Sequence, residues 1–155
     1  MGAVGAVYHA VEFRVIVDPD WPTRVEPVVD GVLLRDLVAR FEHDHGYEPA
    51  GHYAGLVPDT AHAATLDAYL HGGEGAHHWA RGAGTELLSC ECGEPGCWPL
   101  DARVTVAGDH VTWSEFRQPH RPGWSYREMG PLLFRRAQYD VAAAEAVRQL
   151  VSDGA

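Results

Sequence analysis

The sequence predicts an α+β fold in which an antiparallel sheet of about five strands carries two main helices packed on one face. Apolar residues alternate with a period of two near the N-terminus and again between residues 85 and 117, which is typical of strands. Residues 31–43 and 137–151 instead repeat apolar residues at helical spacing. The 155 residues, 46% of them hydrophobic, have the size of one domain, so we expect a single packed domain over residues 1–155.

The N-terminal part predicts two strands and then a helix. Residues 8–17 alternate in polarity and predict the first strand, and residues 24–29 predict a second strand with Pro27 near a sheet edge. Asp30 precedes the first helical repeat, where its carboxylate is placed to cap the helix over residues 31–43. The apolar positions of that helix are Leu33, Leu34, Leu37, Val38 and Phe41.

The middle of the chain is rich in histidine and glycine. It predicts a short helix around residues 60–69 and a glycine-rich loop over residues 71–84. A histidine-rich tract can bind metal, but the spacing follows no dense helical ligand motif, which favours solvated surface histidines. The seven histidines of this part are His43, His45, His52, His62, His71, His77 and His78.

The C-terminal half predicts an antiparallel meander and a closing helix. Gly108-Asp109 is a favourable two-residue turn between the alternating stretches 85–106 and 111–117, so Val106 is expected to pair with Val111. Residues 132–134 predict a last short strand. The helix over residues 137–151 is expected to pack across the sheet.

All three cysteines fall within eight residues, in the stretch Cys-Glu-Cys-Gly-Glu-Pro-Gly-Cys-Trp that begins at Cys90. If Cys92 and Cys97 flank a four-residue loop they lie opposite each other, and Cys90 shares a strand face with Cys92. The three sulfurs then converge at one hairpin tip. Pro99 works against a regular returning strand, because it cannot donate to a ladder.

This convergence indicates a site for zinc or a similar ion, with Cys90, Cys92 and Cys97 as ligands. Extending the register of the meander brings Cys97 opposite His120, the first choice for a fourth ligand; His110 or a histidine of residues 43–78 are the others. Two alternatives stay open. The cysteines can be small core residues of a tight hairpin, or reactive thiols, although the neighbouring Glu91 and Glu94 would raise their pKa.

The charge balance favours a basic partner over nucleic acid. All twelve basic residues are arginine, and the formal net charge is −10, so a polyphosphate surface would repel the chain. The loop over residues 118–127 is dense in donors and rings, and Arg121, Trp124 and Tyr126 are the residues expected to bind a partner. An acid–base set can be drawn from Glu115, His120, Tyr126 and Glu128, but no geometry supports it and no catalytic residue is assigned.

The expected cellular location is based on the absence of signal-peptide features from the N-terminal residues. Residues 1–15 have neither the basic segment nor the apolar run of a signal peptide, and no apolar stretch is long enough to span a bilayer, so a cytoplasmic protein without membrane contact is expected. In that compartment thiols stay reduced, which favours a metal site over disulfides.

The cysteine motif, continued by Pro99-Leu100 and by Val111-Thr-Trp-Ser-Glu-Phe-Arg-Gln-Pro-His-Arg121, resembles a pattern in small uncharacterised proteins of actinomycete-type bacteria. The resemblance covers about residues 87–126. It implies a bacterial origin and a cytosolic setting, and it carries over no catalytic residue, cofactor or partner. The leading hypothesis is a non-enzymatic protein with a structural metal ion in the cysteine loop. The alternatives are an acidic interaction module of the inhibitor or immunity type, and a thiol-dependent enzyme.

Overall fold

The computed structural model describes residues 7–58, 60–73, 84–94 and 97–153. The described part contains nine strands, three α-helices and two short 3₁₀ helices, Thr60–Thr65 and Arg127–Met129. The strands are β1 (Tyr8–His9), β2 (Val11–Asp18), β3 (Trp21–Val29), β4 (Val32–Leu33), β5 (Tyr53–Gly55), β6 (Thr85–Cys90), β7 (Leu100–Ala107), β8 (His110–Arg117) and β9 (Leu132–Arg135). The helices are α1 (Leu34–Asp44), α2 (Leu66–Leu70) and α3 (Arg136–Asp153).

The α+β class is confirmed, but the strands form two sheets. A curled six-stranded sheet has the order β1-β9-β8-β7-β6-β5, and a three-stranded antiparallel sheet has the order β2-β3-β4. The larger sheet is mixed because β1 runs parallel to β9. The single alternating run at residues 8–17 therefore serves both sheets, through β1 and β2.

A backbone pair joins the two sheets. Val25 of β3 and Leu56, the residue after β5, exchange both of their amide hydrogen bonds at 2.7 and 2.8 Å. Gly55 makes this approach possible, because a Cβ atom there would lie 2.5 Å from the carbonyl oxygen of Val25. The bridge brings β3 against the edge of the larger sheet.

The first helix begins later than predicted. Val32 and Leu33 pair with β3 before Leu34 starts α1, and no side chain caps the helix. Asp30 is not the predicted cap, because its carboxylate accepts a hydrogen bond from the Ala10 amide at 2.8 Å and lies 2.6 Å from Nδ1 of His9. It thereby ties the β1–β2 junction to the end of β3.

The two long helices pack on different elements. α1 contacts β3, β4 and β5, whereas α3 contacts β2, β8 and β9. The side chain of Gln138 in α3 forms two hydrogen bonds with the backbone of Val11. Its oxygen accepts from the Val11 amide at 3.0 Å, and its nitrogen donates to the Val11 carbonyl at 2.7 Å. Beneath α3 the buried indole of Trp113 donates to the hydroxyl of Tyr139 at 3.0 Å, which satisfies the polar atoms of both rings inside the core.

The β7–β8 hairpin matches the prediction. Val106 pairs with Val111, and Gly108-Asp109 forms the turn between Ala107 and His110. The helix around residues 60–69 is present as a 3₁₀ helix followed by α2. Most of the predicted loop over residues 71–84, with His77 and His78, lies outside the described residues.

Candidate metal centre

The first cysteine lies at the end of a strand inside the six-stranded sheet. Cys90 is the last residue of β6, pairs with Tyr53 of β5, and is buried. The chain then reverses, with the Gly93 amide donating to the Cys90 carbonyl at 2.9 Å. Gly93 has a φ of 84°, in the left-handed region that glycine adopts without steric cost. This turn returns the chain towards the end of β6.

The three thiols meet at this turn. The sulfur atoms of Cys90, Cys92 and Cys97 all lie within 4.8 Å of one another, and all three are free cysteines. In a tetrahedral zinc site with Zn–S bonds of about 2.3 Å, sulfurs lie roughly 3.8 Å apart, so a small contraction suffices. The predicted convergence of the sulfurs is present, and the cluster could bind a metal ion such as zinc.

The route to this convergence differs from the predicted ladder. β6 ends at Cys90 and β7 begins only at Leu100, so Cys92 and Cys97 lie in the intervening loop and do not pair across strands. Two residues of the predicted four-residue loop, Pro95 and Gly96, lie outside the described residues. Pro99 explains the late start of β7, because it has no amide to donate.

Cys90 and Cys92 differ in acidity, because burial acts on Cys90 whereas hydrogen bonds act on Cys92. Burial raises the pKa of Cys90 to about 12; a hydrogen bond from the Cys92 backbone lowers it in part, whereas the side-chain hydrogen bonds with Cys92 and Cys97 raise it. The exposed Cys92 has a lowered pKa, chiefly because its sulfur accepts a hydrogen bond from the Glu94 backbone and secondly one from the Cys90 thiol. Cys92 therefore ionises before Cys90. A bound cation would replace the remaining protons and neutralise the collected charge.

His120 lies beside the cysteine loop. Its ring stacks on Trp98, the residue after Cys97, with ring centroids 6.2 Å apart and planes 10° apart. It does not face Cys97 in a ladder, because β8 ends at Arg117 and the β7–β8 register shifts between Asp101 and Arg103. The group of mutually close ligand atoms found in the described residues consists of the three cysteine sulfurs and does not include His120. Its role as a fourth ligand stays a prediction.

The other predicted histidine ligands are placed very differently. His110 starts β8, at the opposite end of the β7–β8 hairpin from the cysteine loop. His52 instead touches that loop: its carbonyl accepts from the Glu91 amide at 3.0 Å, and its Nδ1 lies 2.8 Å from the Glu91 carboxylate. From the sequence, His52 was only one of several histidines in residues 43–78 that could provide a fourth ligand. His52 thus contacts the cysteine loop through Glu91, and its ring is not part of the group of mutually close ligand atoms found in the described residues.

The predicted binding loop divides into surface and core. Arg121 lies over Trp98 at 4.9 Å and over Trp124 at 5.9 Å, and Trp124 stacks on Tyr47 with centroids 4.8 Å apart. Tyr126 is buried, and its hydroxyl donates to the Glu42 carboxylate at 2.5 Å. Arg121 and Trp124 thus adjoin the cysteine loop, and Tyr126 anchors their segment from inside.

A buried carboxylate that the sequence analysis missed organises this region. Glu42 of α1 is fully buried and accepts from the Gly51 amide at 2.7 Å and from the hydroxyls of Tyr53 and Tyr126. The side-chain amide of Gln118 donates to Tyr53 at 3.0 Å, closing the network. The spacing of Leu34, Val38 and Glu42 could have revealed it, because residues four apart share a helix face.

The acid–base set considered from the sequence has separate partners. Glu115 pairs with Arg103 at 3.2 Å, Glu128 lies 3.6 Å from His45, and Tyr126 donates to Glu42. Tyr126 in addition has its pKa raised by burial, which disfavours proton release. These contacts give the set no shared site.

Comparison of the chain with protein-family models, with curated proteins and with solved structures finds no match. The resemblance to actinomycete-type proteins therefore stays a prediction. Among the described residues, no helix has the length and apolar character needed to cross a membrane.

Proposed function

We propose that the protein binds a zinc ion, or an ion of similar preference, through Cys90, Cys92 and Cys97 as a structural centre. The carrying observation is the mutual approach of the three sulfur atoms to within 4.8 Å. Thiolates are preferred zinc ligands, and a bound cation offsets the repulsion between thiolates that lie this close together. The bound ion fixes the loop between β6 and β7, as structural zinc sites fix short loops elsewhere.

The fourth ligand in this proposal is His120. Its ring already lies against Trp98, and its loop is held by the buried contact between Tyr126 and Glu42. Coordination by His120 would join the loop over residues 118–127 to the cysteine loop. Such a link between distant chain segments is what a structural ion contributes to stability.

Cobalt substitution tests the ligand set. Cobalt(II) added to the metal-free protein is expected to give thiolate-to-cobalt charge-transfer absorption and the strong visible bands of a tetrahedral site. Cys92→Ser should reduce the charge-transfer band, and His120→Ala should shift the visible bands. His52→Ala is the matched control, because His52 touches the loop through Glu91. Absence of charge-transfer absorption overturns the proposal. If His120→Ala gives the same spectrum as the control His52→Ala, only the assignment of His120 as the fourth ligand is excluded.

A second candidate function is binding of a basic protein partner by the surface that includes Arg121, Trp98 and Trp124. The cation–π stack of Arg121 on both indoles favours it, since arginine and tryptophan are enriched at binding hot spots. The net charge of −10 suits a basic partner. Affinity capture at low salt should recover a basic protein that Arg121→Ala and Trp124→Ala lose and that Arg148→Ala, on α3, retains. Equal recovery by all variants would exclude this surface.

A further inference from the structure

A second candidate site is a cavity next to the cysteine cluster, with Cys90 contributing to its wall. The cavity has a volume of about 220 Å³ and is bounded by β3, the start of α1, β5 and the end of β6. Its polar lining includes Arg24, Glu26 and Arg35, and Trp21, Pro22 and Tyr53 contribute apolar surface. Cys92 and Cys97 are not among the described residues that line it.

Two buried polar atoms of this lining lack hydrogen bonds. Glu26 is only 3% exposed; its Oε2 accepts from Nε of Arg24 at 3.3 Å, but its Oε1 has no partner in the described part of the chain. Nε of Arg35 lies 3.2 Å from Oε2 without the geometry of a hydrogen bond and likewise has no acceptor among the described residues. Buried polar atoms are nearly always paired, so an orphan acceptor and an orphan donor lining one cavity indicate a missing occupant.

The charges of the lining indicate what the occupant offers. Two guanidinium groups, those of Arg24 and Arg35, lie against the single carboxylate of Glu26, so this group of three side chains has one positive charge without a matching negative charge. Guanidinium groups bind carboxylates through strong, charge-assisted hydrogen bonds. The free Oε1 of Glu26 accepts a hydrogen bond, so the ligand also needs an N–H or O–H donor. Glu91, which also lines the cavity, is engaged by His52.

The size and walls of the cavity restrict the ligand further. A volume of 220 Å³ lies below the roughly 300–1,000 Å³ of sites for drug-sized ligands, so the occupant is small. Trp21, Pro22 and Tyr53 offer apolar contact for a side chain. We propose that this cavity binds a small organic acid with an apolar side chain and a donor next to its carboxylate, as in an α-amino acid or a 2-hydroxy acid.

Three ligands of matched shape test this inference. L-phenylalanine, 3-phenyllactate and 3-phenylpropionate share a carboxylate and a phenyl group, but carry an ammonium, a hydroxyl or a hydrogen at the position next to the carboxylate. At least one of the first two should bind roughly ten-fold or more tighter than 3-phenylpropionate, because only these two can donate to Glu26. Which of the two binds better separates amino acids from hydroxy acids.

Binding is followed by calorimetry and by nuclear magnetic resonance of the arginine Nε–H groups. Ligand addition to the unaltered protein should shift the Nε–H signal of Arg35. That signal is assigned by comparison with Arg35→Lys, whose spectrum lacks it. Glu26→Gln should abolish the preference for a donor-bearing ligand, whereas Glu12→Gln and Arg40→Lys, exposed changes on β2 and α1, should leave binding unchanged.

Equal affinity for the three ligands, or no binding of any of them at millimolar concentration, overturns the inference and leaves water as the occupant of the cavity. The shift of Arg35 in the unaltered protein keeps the test decisive if a variant folds poorly. The inference does not depend on the metal. Cys92→Ser should lose metal and retain ligand binding, so the failure of one proposal is distinguishable from the failure of the other.

Discussion

Tyr53 pairs with Cys90 across the β5–β6 ladder, and its hydroxyl donates to the buried carboxylate of Glu42 at 2.6 Å. One residue therefore links the end of β6, where the sulfur cluster begins, to a buried network that also holds the loop of His120 through Tyr126. The position of the cysteine loop relative to His120 depends on this network.

The first prediction concerns the central acceptor of that network. Glu42→Gln replaces one carboxylate oxygen by an amide that donates, while three donors point at the group. At least one hydrogen bond to a buried charge is then lost, and we expect the free energy of unfolding to fall by about 2 kcal/mol or more. Urea denaturation measures it, with the exposed Glu12→Gln as control. A loss equal to that of the control would contradict the role of Glu42.

The second prediction concerns the bridge between the sheets. A Cβ atom at Gly55 would lie 2.5 Å from the carbonyl oxygen of Val25 and 2.9 Å from Cδ of Glu26, so Gly55→Ala forces β3 and β5 apart. We expect it to lower the free energy of unfolding by roughly 1–3 kcal/mol.

Gly123→Ala is the matched control for this substitution. A Cβ atom there meets nothing within 4 Å, so the change is expected to stay within about 0.5 kcal/mol. Equal stability of the two alanine variants would show that the Val25–Leu56 pair does not need the close approach at Gly55.

The third prediction concerns the order in which the thiols react. Only the thiolate is nucleophilic, so in metal-free protein iodoacetamide should modify the exposed Cys92, whose pKa is lowered, before the buried Cys90, whose pKa is raised to about 12. Peptide mass spectrometry at increasing reaction times gives the order. One equivalent of zinc should slow modification of all three cysteines together. Reaction of Cys90 first, or no protection by zinc, would contradict the account of the cluster.

The fourth prediction concerns alkaline pH. Burial is the largest cause that raises the pKa of Tyr53, Tyr69, Tyr126 and Tyr139 above the ordinary value of about 10. The folded state holds these protons more tightly than the unfolded state. The stability that the four protonated hydroxyls contribute is therefore fully present below pH 10 and is lost as the pH rises further.

Absorbance of tyrosinate, recorded beside circular dichroism, checks this expectation. Ionisation of the four buried tyrosines should coincide with loss of tertiary structure. Smooth ionisation of all six tyrosines near pH 10 with the fold intact would show that these hydroxyls are accessible to solvent.

The parts of the fold that were predictable are those determined by neighbours in sequence. Gly108-Asp109 and the alternation on each side of it specify the β7–β8 hairpin, including the pairing of Val106 with Val111. The convergence of the sulfurs was predictable for the same reason, since a short glycine-containing loop must bring its ends together.

The parts that were not predictable depend on contacts between distant segments. Alternation over residues 8–17 is the same whether the partner is parallel or antiparallel, so it could not show that β1 joins β9 while β2 joins β3. β5 is only three residues long, too short for a periodic pattern. The cavity beside Cys90 combines residues of β3, α1 and β6, which no local pattern brings together.

Metal content tests the central claim most directly. Protein purified without a histidine tag or chelator, analysed by plasma mass spectrometry beside Cys92→Ser, should contain about one equivalent of zinc that the variant lacks, because the variant loses one of three thiolates. Zinc added to metal-free protein should also raise its melting temperature, because an ion that binds the folded state stabilises it. Less than about a tenth of an equivalent of any transition metal, with a melting temperature that zinc leaves unchanged, would contradict the claim and make the cysteine loop a packing element.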